Sequence, residues 1–200
     1  QADRDRAMPR LPGGFAEVGG DPRPFLLRWR GLVLSLPGLA MQAAGLGHVG
    51  VAPELDNVAR RVPLLIDVNG TLVPSLALET LRVLTGARTT LVRSDEAGVG
   101  QVSVGGLPIG TDRNGLAWVR YARPVAGRYI PARDLLVGRV PAERLAGRIV
   151  LIGTSASALA DIKPTPLGLL MPGVEVHAQL LETVLDGSVL VSPNYALGAE

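Results

Sequence analysis

Apolar residues recur along this chain with three different periods, and each period predicts a different kind of element. Leu76, Ala77, Leu78, Leu81, Val83 and Leu84 follow helical spacing; Ser75 stands where an N-cap belongs and Gly86 where a helix stops, which predicts a helix over 76–85. A second helical pattern, His177, Leu180, Leu181, Val184 and Leu185, follows Gly173 and ends at Gly187. Strand-like runs from Arg61 to Val68 and from Thr71 to Val73 flank Asn69-Gly70. That dipeptide suits a two-residue hairpin turn because both positions accept positive φ. Further strands are predicted at His48–Ala52, Thr89–Val92, Gln101–Val104, Leu107–Ile109 and Leu116–Tyr121, with turns at Gly105-Gly106 and Asp112–Gly115. The third pattern is the unbroken apolar run from Arg148 to Ile152 between Gly147 and Gly153, which predicts a strand buried on both faces. Short helices are expected at Phe25–Leu39, limited by Pro37, and at Ile130–Leu136 and Pro141–Leu145.

The order of elements is mixed α/β, and 200 residues at 47% apolar content suffice for one domain with a substantial core. Aromatic residues make up only 4%, so that core is aliphatic. With no cysteine, disulfides, thiol redox chemistry and thiolate metal sites are excluded within the chain. The net charge of +2 comes from scattered residues, without the basic stripe and interleaved aromatics that single-stranded nucleic acid binding needs; nucleic acid is not an expected partner. The longest apolar stretch, Gly31 to Gly47, is interrupted by Ser35, Pro37, Gly38 and Gln42, and no segment has the length of a membrane span. The first ten residues carry mixed charges and do not form a signal peptide.

Candidate chemistry concentrates in the polar loop after the Arg148–Ile152 run. Gly153, Thr154 and Ser155 follow an expected strand, where open α/β sheets commonly hold ligands, and Asp161 and Lys163 add charge a few residues on. The glycine-rich signatures of nucleotide-binding loops are absent, so the loop is a candidate for a small polar or anionic ligand. Ser155, Asp161 and His177 stand in the chain order of an α/β-hydrolase triad, which makes hydrolysis the alternative function. Against it, Ser155 lacks the second glycine of the nucleophile elbow, and His177 follows it closely in a helical first turn. His48 and His177 are the only histidines, and neither has a second ligand at helical spacing; no metal and no cofactor are expected. Kinase motifs and cyclase metal carboxylates are also absent.

Six segments carry a family resemblance: GFAEVGGDPRPFL (Gly14–Leu26), RRVPLLI (Arg60–Ile66), VPSLALETLRVLTG (Val73–Gly86), RIVLIGTSA (Arg148–Ala156), DIKPTP (Asp161–Pro166) and PGVEVHAQLLE (Pro172–Glu182). In their order and spacing the chain resembles the second type of CHASE domain, an extracytoplasmic sensor found in bacterial adenylate or guanylate cyclases, histidine kinases and serine/threonine kinases. The resemblance implies a three-layer α/β sensor domain, a mixed sheet with helices packed on it, whose amino-terminal βαβ portion precedes Gln1. Residues 1–24 are then a linker or long loop, 25–187 the carboxyl-terminal part of the sensor domain, and 188–200 the approach to the membrane. It further implies an unidentified small ligand or environmental stimulus, a tether through membrane segments after Glu200, and catalytic residues outside this chain. The expected location is the periplasmic face of the inner membrane, and the expected assembly of the full-length protein is a homodimer. The candidate ligand-binding residues are Gly153, Thr154, Ser155, Asp161 and Lys163.

Overall fold

The computed structural model describes residues 11–52, 54–154 and 161–190. They form a mixed α/β fold in which two helices and several small sheets enclose one main aliphatic core. The largest sheet has the order β1-β6-β7-β8: β1 (Gly14–Val18) runs parallel to β6 (Thr89–Asp95), which continues antiparallel through β7 (Gly98–Val104) to β8 (Leu107–Gly110). Burial alternates along β6, with Thr90, Val92 and Ser94 inside, as a sheet with one covered face requires. A strand at Gly14–Val18 is a departure from the loop expected before residue 25. Its short GFAEV pattern is a weak period-2 signal, and its place comes from hydrogen-bonded pairing with β6, a partner more than seventy residues away.

A second sheet joins β2 (Leu27–Trp29), β4 (Leu65–Val68) and β5 (Thr71–Pro74), with β2 parallel to β4. The predicted hairpin is present: Asn69 and Gly70 have φ of 51° and 85°, and the Gly70 N–H donates to the Asp67 carboxylate at 2.7 Å. All four residues of β4 are buried, because its two faces serve different clusters. Leu65 joins the main core, whereas Ile66 and Val68 join Val73 in a smaller cluster packed by Trp29 and Leu32. A further ladder pairs β3 (Arg61–Pro63) with β9 (Leu116–Trp118). Phe25–Leu39 therefore holds β2 where the sequence predicts helices, and turns helical only from Pro37. The helix of that region, α1 (Pro37–Gln42), starts at Pro37, where the missing N–H costs nothing.

Helix α2 (Leu76–Thr85) forms as its caps dictate. Ser75 Oγ accepts the Leu78 N–H at 3.2 Å, and Gly86 closes the last turn in the left-handed region at φ 68°. It packs on α4 (Gly173–Leu185) through Leu78, Leu81, Leu180 and Leu181, all at most 3% exposed. Much of the rest of α4 is also buried, and two of its buried polar side chains bond to a neighbouring segment. Gln179 Oε1 accepts the Ala122 N–H at 3.0 Å and Thr183 Oγ1 the Arg120 N–H at 3.1 Å, so α4 clamps the strand exit at 120–122. Between β9 and α4 lie α3 (Ala132–Leu136) and the hairpin β10 (Ile162–Pro164)–β11 (Leu170–Pro172). No helix among the described residues is long and apolar enough to cross a membrane.

The expectation of a doubly buried strand at Arg148–Ile152 is overturned. The segment has no ladder partner among the described residues, and Val150 and Ile152 are 50% and 90% exposed; only Leu151 leans on the core. An apolar β-branched run signals a strand's preference for covered faces, but a strand exists only where neighbouring strands take its N–H and C=O groups. Here the neighbours are absent on both sides among the described residues.

Candidate functional site

Val73, which packs with Ile66 and Val68 in the smaller cluster, lines a cavity of about 970 Å³. Its far wall is the segment from Gly31 to Gly50, which carries α1 and stands off the body of the domain. That segment has no buried residue in α1, and its side chains Val33, Leu36, Leu39 and Met41 are between 66% and 92% exposed. It is held at its end by Arg82 of α2, which donates to the Ala44 carbonyl at 2.8 Å and the Ala87 carbonyl at 3.0 Å. The same guanidinium pairs with Glu79 at 2.8 Å, both side chains lying nearly buried. Beside the cavity, Trp29 tilts against His48 with ring centroids 5.6 Å apart. Gly50 is required here, since a side chain at that position would meet the Trp29 ring.

Asp161 and Lys163 line the same cavity and are its only charged side chains among the described residues. They form an ion pair at 3.5 Å, with side chains 43% and 33% exposed. Asp161 is also the hinge pin of α4. Its carbonyl accepts the Gly173 N–H at 2.8 Å, and its carboxylate lies against Gly173, where only a glycine leaves room. A carboxylate at this point also sits favourably at the positive end of the α4 dipole. The hairpin β10–β11 then connects Lys163 to the first residue of α4 in one short excursion.

Of the loop residues expected to bind a ligand, the structure thus brings Asp161 and Lys163 to a cavity. Gly153 lies instead against the Val174 side chain near the start of α4, and neither it nor Thr154 lines the cavity. Ser155 lies outside the described residues. The cavity's other walls escaped the sequence pattern. The available signal was the absence of charge from Gly31 to Pro53 in a chain that is 19% charged.

The two histidines are both enclosed, His48 on the cavity wall at 6% and His177 at 1% exposure. His48 Nδ1 accepts the Gly50 N–H at 3.2 Å, so Nε2 carries the proton of the neutral ring. Nε2 and both nitrogens of His177 have no hydrogen-bond partner. Burial depresses His48 to about 3, with His177 adding to the effect; the Pro63 carbonyl acts in the opposite sense without meeting hydrogen-bond geometry. Burial likewise lowers His177, opposed by the Val49 carbonyl and the Asp161 carboxylate. Both rings are neutral at pH 7. Asp161 acts on His177 through space only, so the acid-to-imidazole hydrogen bond that orients a catalytic base is missing.

The described residues thus combine a mixed α/β fold with a ligand-sized cavity joined to a helix start by a charged hairpin. The family comparison identifies the class: the CHASE2 domain model matches residues 8–198, and the chain belongs to the CHASE2 domain family, whose members are extracytoplasmic sensory domains. Searches of curated proteins and of solved structures returned no match.

Proposed function

We propose that this chain is the signal-input domain of a membrane-bound bacterial signalling protein, and that the cavity beside Asp161 and Lys163 is where the signal enters. The output domain is a nucleotide cyclase or a histidine or serine/threonine kinase on the other side of the membrane, tethered beyond Glu200. The observation that carries the reading is the bond from the Gly173 N–H to the Asp161 carbonyl, which ties a cavity-lining residue to the first turn of α4. A ligand that moves Asp161 moves the start of α4. Because α4 is packed on α2 and clamps 120–122, that displacement is carried along a rigid body toward Gly187 and the chain beyond it. Such a ligand changes the output only by binding the two arrangements with different affinity.

The test uses the intact protein with reporters inserted after Gly106, in the exposed turn between β7 and β8. A periplasm-active phosphatase is expected to be active there and a cytoplasm-active galactosidase inactive. The reverse pattern refutes the extracytoplasmic assignment for this protein.

A further inference from the structure

The cavity has a chemically specific wall. Trp29, Leu32, Val33, Met41, Leu46 and Val73 give it a continuous apolar surface, and its volume of about 970 Å³ is at the upper end of the roughly 300–1,000 Å³ of small-molecule sites. Against this surface stand one carboxylate and one ammonium, adjacent to each other and balanced in charge. His48, the remaining titratable group on the wall, is neutral and adds none.

We propose that the cavity binds a zwitterionic amphiphile: an apolar chain against the Trp29 and Val73 side, with its cationic group on Asp161 and its anionic group on Lys163. This deepens the signal-input reading and rests on the cavity being the input site. An internal pair that is partly exposed and 3.5 Å apart is weakly held, so a ligand carrying both charges can replace it with two charge-assisted contacts. A purely anionic amphiphile meets Asp161 as a like charge, and an uncharged one offers Lys163 nothing to replace its partner. Drawing Asp161 toward an ammonium group pulls on the residue whose carbonyl holds the Gly173 N–H, which gives this ligand class a route to α4.

The experiment titrates the chain with dodecylphosphocholine, dodecyl phosphate and dodecyl maltoside, each below its micellar concentration. Emission is followed in a Trp118→Phe background so that Trp29 alone reports. The zwitterion is expected to saturate a single site with at least about tenfold tighter binding than either other amphiphile. Asp161→Asn is expected to abolish the preference over dodecyl phosphate, and Lys163→Met the preference over dodecyl maltoside. Both side chains are substantially exposed, and melting curves verify that the variants remain folded. Equal affinities for the three amphiphiles, tighter binding of the anionic one, or preferences unchanged in both variants overturn the proposal. Those results concern the ligand class alone, because the input reading is judged separately by signalling output when the cavity is filled.

Discussion

At the scale of single residues, the two enclosed histidines give the chain a defined response to mild acid. Both have pKa values lowered by burial, so the folded state binds fewer protons than the unfolded chain, whose histidines titrate near 6.5. Their neutral forms therefore favour folding fully above about pH 6.5, and this contribution is lost as pH falls from there toward about 3, where His48 titrates in the fold. His48, which stays unprotonated throughout, should cost about 2 kcal/mol between pH 7.5 and pH 5, and His177 acts in the same sense. Urea denaturation at the two pH values checks this: stability should drop on acidification, and His177→Gln should make the drop smaller. Equal stability at both pH values contradicts the enclosed, neutral pair. The pairing itself was not legible in the sequence. His48 and His177 are 129 positions apart, and each on its own looks like an isolated packing residue.

At the scale of elements, what the sequence disclosed and what it concealed divide by the range of the forces involved. The helix over 76–85 is determined by neighbours: Ser75 as cap, Gly86 as stop, and a buried stripe of Ala77, Leu78 and Leu81 between them. The Asn69-Gly70 hairpin and the meander from Thr89 to Gly110 are local in the same sense, and all were legible. Strand β1 depends on a distant parallel partner and was not legible. The run at Ile149–Ile152 shows the opposite failure: the side chains favour a covered strand, yet no strand pairs with it among the described residues. This leads to a discriminating pair of substitutions. Val150→Asp should shift stability by less than about 0.5 kcal/mol, as for a surface position. Val62→Asp, fully enclosed in the core, should abolish folding, because a buried carboxylate costs several kcal/mol against a typical total of about 5–15 kcal/mol. Thermal melting of the chain distinguishes them, and unfolding by Val150→Asp would show that the run is covered after all.

At the scale of the whole molecule, the proposed function makes one claim: a stimulus taken up between the uncharged 31–50 segment and the β4–β5 hairpin is passed through Asp161 to α4. The sequence singled out two of the cavity-lining residues, Asp161 and Lys163, because charge in a loop after an apolar run is visible by inspection. It missed Trp29, Val73 and the 31–50 segment because these become a cavity wall only when the chain is folded. The most direct test fills the cavity in the intact signalling protein. Ala43 lines the cavity from the stand-off segment and is only half-buried, so Ala43→Trp adds bulk inside the space without opening the core. With expression and melting behaviour unchanged, the account predicts that this variant's output no longer responds to the stimulus that drives the parent protein. A full, parent-like response with the cavity occupied by tryptophan would contradict it.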